Sequence, residues 1–230
     1  MMILRHTRAA LVVTLVLSAP AIAVQQDAKP HAVSPDQIHS LKPQTVPLGP
    51  IDAEGPILDI GGGQGIIGHV MGSRVVTIDV SEEKLGARET EAKKIVMDAR
   101  DLEFDDGSFA TATAFFAMLR FDAPDQAKVF GEVYRVLIPG GRFLIWEAVL
   151  GPRPEGKQIA VIPVAVKIVG ENIDAGYSRR WPDQVYDVDH YRKLAEAAGF
   201  IVADQDRKAE WFRFELQKAG AAKAKPEPAE

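Results

Sequence analysis

Cysteine is absent from the 230-residue chain. That one absence removes disulfides, a thiol nucleophile, thiolate metal sites and a lipidated cysteine. A basic excess is also absent: 27 Lys and Arg stand against 32 Asp and Glu, a net charge of -5. A general nucleic-acid binder ordinarily shows the opposite balance, at least on one face. Internal repeats are lacking, and so are a metal-ligating cluster and a nucleophile triad. What remains is ordinary globular material, 47% hydrophobic and 26% charged. Its length suits one α/β domain with a full core and is too short for two comfortable ones.

Long apolar runs are scarce as well. Ala9 to Leu17 is shorter than the roughly 20 residues a spanning helix needs. Arg5, His6 and Arg8 precede it, Ser18-Ala19-Pro20 breaks it, and Ala21-Ile22-Ala23 fits a small-x-small cleavage pattern. Residues 1–23 therefore read as a signal peptide or N-terminal anchor. The matching locations are exported or periplasmic, or membrane-held through residues 9–23, and cytoplasmic if the true start lies downstream. Residues 24–54 form a proline-rich lead-in, with a short helix expected after the Ser34-Pro35-Asp36 cap. His31 and His39 carry no ligand spacing and read as surface residues.

From Gly55 apolar strands alternate with amphipathic stretches. Strands are expected at Pro56 to Ile60, Arg74 to Ile78, Lys94 to Met97, Phe109 to Phe116, Arg142 to Val149, Phe200 to Ala203 and Glu210 to Gln217. Helices are expected at about Gln64 to Met71, from the Ser81 cap to about Lys93, at Pro124 to Leu137 and at Val188 to Ala198. The pattern predicts a Rossmann-like, doubly wound α/β fold with a mostly parallel seven-stranded sheet and an antiparallel last strand. Gly151 to Asp187 is irregular, although Ile159 to Val169 is apolar enough for a strand or a buried helix. The domain spans residues 55–218, and 219–230 reads as a disordered tail.

The densest signal is Asp59-Ile60-Gly61-Gly62-Gly63-Gln64-Gly65, where five of the eight residues from Gly61 to Gly68 are glycine. A strand that runs through a glycine turn into a helix lets a ligand approach the backbone and meet unpaired N–H groups. Gly63-Gln64-Gly65-Ile66-Ile67-Gly68 also fits the dinucleotide fingerprint. Asp79, an acid at the end of the second strand, suits either ligand class, since both carry ribose hydroxyls.

Three further segments decide between them. Together with the glycine loop, Asp79, Asp98-Ala99-Arg100-Asp101-Leu102, Asp105-Asp106-Gly107-Ser108-Phe109 and Glu132 to Gly141 resemble a class I S-adenosylmethionine-dependent methyltransferase of the compact small-molecule type. The resemblance covers Pro56 to Glu147 closely and Asp187 to Gln217 more loosely. It implies S-adenosylmethionine as cofactor. Asp59, Gly61, Gly62, Gly63 and Gly65 would hold the methionine part, Asp79 the ribose, and Asp98 and Ala99 the adenine edge. Val80 and Leu102 would flank the ring, and Phe115 and Phe116 would stand near the sulfonium.

No catalytic residue is marked. Phe116-Ala117-Met118-Leu119-Arg120 lacks the histidine many relatives carry there, and the Asn/Asp-Pro-Pro-Tyr/Phe signature of amino-group methylases is missing. Arg120 and Glu147 are candidates to meet the substrate, and Tyr177, Arg179, Arg180, Trp181, Tyr186 and His190 to form a lid. The expected activity is methyl transfer to an unidentified small molecule, with no nucleic-acid partner. The alternative is an exported, non-catalytic protein that keeps the fold for ligand or partner binding. A nicotinamide oxidoreductase is the third reading.

Overall fold

The computed structural model describes residues 33–220. The expected leader, the first part of the lead-in and all but two residues of the expected tail lie outside the described residues. No helix among the described residues is long and apolar enough to cross a membrane.

After a single 3-10 turn at Pro35–Gln37 come β1 (Ile38–Ser40) and β2 (Gln44–Pro47). The alternation follows: β3 (Ile57–Ile60), α1 (Ile66–Met71), β4 (Val75–Asp79), α2 (Glu82–Leu85), β5 (Lys93–Val96), β6 (Phe109–Phe115), α3 (Ala123–Val136) and β7 (Leu137–Ala148). The chain closes with β8 (Ile159–Ile168), β9 (Glu171–Arg180), α4 (Val188–Ala197), β10 (Phe200–Arg207) and β11 (Trp211–Lys218).

Seven strands form the main sheet in the order β10-β11-β7-β6-β3-β4-β5. β3, β4, β5, β6 and β7 run parallel, and β11 is antiparallel to both neighbours, as the alternation predicts. β3 is central and all four of its residues are buried, so it reads as one continuous apolar run broken only by Asp59. On α3, Val129, Phe130, Val133 and Val136 face the sheet, the i, i+4, i+7 spacing that makes one helical stripe.

The helix expected to run from Ser81 to about Lys93 ends at Leu85. Ser81 caps it as expected, accepting from the Lys84 N–H. Beyond Gly86 the chain instead folds back over α1. A Cβ on Gly65 would lie 3.0 Å from that of Arg88, and one on Gly68 2.9 Å from that of Ala92. Small residues on one element thus draw the other in too close for a further turn of helix.

Two segments read as irregular are a second sheet. β8 pairs antiparallel with β9 through the Val169-Gly170 turn, Gly170 supplying the positive φ. On its other edge β8 takes β1 and then β2, both parallel. The described part of the lead-in therefore carries two short strands, and the apolar run that begins at Ile159 is a strand, Ile159–Ile168, rather than a helix.

Candidate functional site

β3, β4, β5 and β6 end together, and their C-terminal turns carry the residues singled out in the sequence. In open parallel sheets this is where ligands bind, beside the switch in strand order. Here the switch lies between β3 and β6.

Asp59 is fully buried beneath the glycine loop. Its Oδ1 accepts from Thr113 Oγ1 at 2.9 Å, while Oδ2 has no hydrogen-bond partner among the described residues. Burial, reinforced by the charge of Asp79 and opposed by the Thr113 bond, pushes its carboxyl up to about 7. Gly62 lies directly above: a Cβ there would sit 1.8 Å from Asp59 Oδ2. Only glycine leaves the carboxylate room. Gly61 turns with φ 63, and a Cβ on it would meet that of Ala117 at 2.9 Å. Gly63 backs onto Asp79, whose Oδ2 would lie 2.7 Å from an added Cβ. Gly65 closes the turn, donating its N–H to the Gly62 carbonyl at 2.7 Å.

A cleft of about 960 Å³ opens in front of these strand ends. Gly61, Asp79, Val80, Asp98 and Ala99 line it together. A small inner pocket continues from Gly61 to Asp59, Gly62, Gly65 and Phe115. Gly61 belongs to both, so nine of the ten predicted cofactor residues lie along one path, and Gly63 packs against Asp79 beside it. Asp79 Oδ1 accepts the Ser81 N–H at 3.0 Å. Asp98 is gripped by Arg100, whose Nη2 donates to Oδ2 at 2.6 Å and whose Nη1 reaches Asp125 at 2.8 Å. The Arg100 guanidinium holds the Asp98 carboxyl below its ordinary range.

Leu102 does not join Val80 across the cleft. It is turned into the core, its N–H bonded to Glu132 at 2.8 Å, and Met97 lines the cleft instead. Phe116 is fully buried at the end of β6 with φ 50, a left-handed conformation that costs a bulky residue energy. The Tyr177 ring, on β9, stacks on it at 5.2 Å.

β9 lies over the glycine loop. Gln64 Nε2 donates to the Gly176 carbonyl at 2.6 Å, and His69 pairs with Glu171 at 2.9 Å. Tyr177 caps the inner pocket, which keeps only about 10 Å³. Burial, with the nearby charges of Asp59 and Glu147, drives its phenol well above the ordinary value. Of the other expected lid residues, Arg179, Arg180 and Trp181 line the cleft, whereas Tyr186 and His190 stack on each other at 4.6 Å behind it. Arg179 spans the two, bonding the Phe121 carbonyl and Asp122 with its guanidinium 5.0 Å from the Tyr186 ring centre.

Glu147 ends β7 fully buried. Its oxygens accept the Leu119 N–H at 2.9 Å and the Ala148 N–H at 2.8 Å, and burial pushes its carboxyl up to about 8. It does not line the cleft. It anchors the Met118–Arg120 turn, and Arg120 on that turn does line it. Sequence reasoning missed the cleft's outer wall: Arg153, Lys157, Gln158, Ile159 and Ser178. The Gly170 turn was the available signal for the hairpin that carries the last two.

The cofactor implied by the resemblance needs a buried anion for its ammonium, backbone close enough to surround its amino-acid end, and an acid for its ribose. The orphaned Asp59 Oδ2, the Gly62 cradle and Asp79 meet those needs. No grouping of three or more His, Asp or Glu among the described residues could hold a metal ion.

Comparison with known proteins agrees with this geometry. Residues 58–145 match the family model described as "Methyltransferase domain". A demethylmenaquinone methyltransferase of Clavibacter sepedonicus is 35% identical over 149 residues, 56% of this chain and 60% of its own. A ubiquinone/menaquinone biosynthesis C-methyltransferase of Brucella canis is 31% identical over 178 residues, 71% of this chain and 60% of its own. The chain thus spans 60% of the length of each of these relatives. Among solved structures, a SAM-dependent methyltransferase of Methanosarcina mazei superposes with a TM-score of 0.54 at 18% identity, over 74% of this chain and 95% of that one.

Proposed function

We propose, for a chain that belongs to the class I S-adenosylmethionine-dependent methyltransferases, that it transfers a methyl group to a small molecule bound in the cleft. The observation that carries this reading is the buried, half-partnered carboxyl of Asp59 beneath Gly62. An unpaired buried carboxylate is costly. A site that keeps one, with glycine as the only residue able to cover it, is built to receive a cation.

When bound, S-adenosylmethionine supplies a methyl group on a positively charged sulfur. Asp59 would hold the cofactor's ammonium and Asp79 its ribose hydroxyls. Val80, Met97 and Ala99 would enclose the adenine, with the Arg100-bound Asp98 at its edge. Phe115, with Tyr177 closing over it, would keep water from the sulfonium end. Methyl transfer is an in-line displacement, so alignment of the two reactants can supply most of the acceleration. The protein's task is then to position and to exclude water. A proton acceptor is required only for a protonated nucleophile, and the Glu147 carboxyl is spent on the Met118–Arg120 turn.

The relatives' names, which specify quinone precursors, set the first acceptors to assay: demethylmenaquinone and its soluble naphthoquinol analogues. The prior test is calorimetric titration with S-adenosylmethionine and S-adenosylhomocysteine. Micromolar binding of both is expected, and no heat up to about millimolar concentration overturns the reading.

A further inference from the structure

The cleft is larger than its cofactor end. Its volume of about 960 Å³ stands near the top of the roughly 300–1,000 Å³ range of small-molecule sites, so it accommodates a second molecule. The wall facing that space differs in charge from the rest of the protein. Two of the lining arginines are committed: Arg100, at the strand ends, is paired with Asp98 and Asp125, and Arg179, on β9, with Asp122. On the opposite side, Arg153 and Arg180 line the cleft, and neither guanidinium takes an ion-pair or hydrogen-bond partner among the described residues. Lys157 lies between them in sequence and in the lining, its ammonium held by the Asp36 carbonyl at 2.6 Å. Asp183 is the single acid among the residues that line that side. A chain of net charge -5 has thus gathered uncommitted positive charge at the mouth of its cleft. Apolar side chains, Ala117, Phe121, Ile159, Trp181 and Pro182, share the lining inside this rim with the polar Arg120, Gln158 and Ser178.

We propose that the methyl acceptor is an anionic amphiphile, a ring-sized apolar body bearing a carboxylate, whose acid is held by Arg153 and Arg180. The inference rests on the methyltransferase reading for the word acceptor, but not for the anion site itself. Guanidinium groups suit the task because their planar donors match a carboxylate two at a time. The apolar floor takes the ring, and the rim sets which end enters first. A neutral analogue of the same shape would leave two guanidinium groups facing an apolar substrate without a counter-charge.

The test uses the whole protein and two probes that share a ring system, 2-naphthoate and 2-naphthalenemethanol, titrated with and without S-adenosylhomocysteine. The carboxylate is expected to bind at least tenfold more tightly than the alcohol, and the gap to narrow between 50 and 500 mM salt, about 14 and 4 Å of screening length. The double variant Arg153→Gln, Arg180→Gln is expected to erase the preference while leaving the melting temperature and the S-adenosylhomocysteine affinity unchanged, since both side chains are exposed. Equal binding of the two probes, failure of both to bind, or an undiminished preference in the double variant overturns the proposal. Loss of S-adenosylhomocysteine binding with the naphthoate preference intact would instead remove the cofactor reading and leave the anion site standing.

Discussion

At the scale of single residues, Asp59 carries opposite consequences for binding and for stability. Asp59→Asn keeps the shape and the Thr113 contact but removes the charge that would face an ammonium. S-adenosylhomocysteine affinity is expected to fall at least tenfold by calorimetry, with the melting temperature unchanged or higher, because a poorly solvated acid has gone. The ionisation can be read directly as well. A cationic ligand favours the carboxylate form, so binding at pH 6 should release close to one proton and binding at pH 8.5 almost none. Titration in two buffers of different ionisation enthalpy measures this, and an equal proton count at both pH values contradicts the role. Gly62→Ala probes the same contact from above. With Asp59 Oδ2 1.8 Å from the added carbon, the loop must shift; overpacking of this kind costs roughly 1–3 kcal/mol. Denaturant melts should show that loss, together with loss of cofactor binding.

Elements explain what individual residues do not. α1 and α2 are short because each cedes space to the other's loop, and the residues that reveal this are the glycines 65 and 68 together with Ala92, which sequence periodicity treats as neutral. β8 and β9 were hidden for a different reason. Both faces of β8 are largely buried, so its apolar run had no alternation to separate strand from helix. β1 and β2 are too short to show a period at all. By contrast the glycine loop, Asp79 and Asp98 were legible because their chemistry is local to the ends of strands. Leu102 was misplaced because its backbone N–H and carbonyl are held by Glu132 and Arg135, some thirty residues on in the sequence, which turns the side chain into the core. The β9 strap yields an element-scale expectation. Gln64→Ala removes the bond to Gly176 that helps to hold Tyr177 over the inner pocket. Stopped-flow measurements should show cofactor association several-fold faster, with stability lowered by only about 1 kcal/mol, the net worth of an ordinary hydrogen bond.

For the molecule as a whole, two buried carboxyls set a slope of stability against pH. Asp59, ordinarily 3.8, is raised to about 7, and Glu147, ordinarily 4.5, to about 8. Between the ordinary and raised values the folded protein keeps a proton that the unfolded chain has lost, so stability falls as pH rises through that window. His190, lowered by burial, works in the other sense only up to 6.5, and Asp98, Asp125 and Glu132 act below the ordinary carboxylate range. The melting temperature of the ligand-free protein should therefore drop from pH 6.5 to 8.5, and fall again only near the ordinary tyrosine value of 10, above which the buried Tyr177 and Tyr191 keep protons that the unfolded chain loses. Glu147→Gln should flatten most of that slope, and a midpoint that stays constant or rises across the window contradicts the assignment.

The parallel pairing of β1 and β2 with β8 joins Ile38 to Ile159 and Pro47 to Lys167, and this separation has a consequence in time. At a synthesis rate of about 5–20 residues per second, the early strands leave the ribosome several seconds before the edge they complete. Strands β3 to β7 are contiguous in the chain and can assemble during that interval. The floor of the cleft is thus made before its roof, and β1 and β2 wait, unpaired, for a partner strand that is translated more than a hundred residues after them.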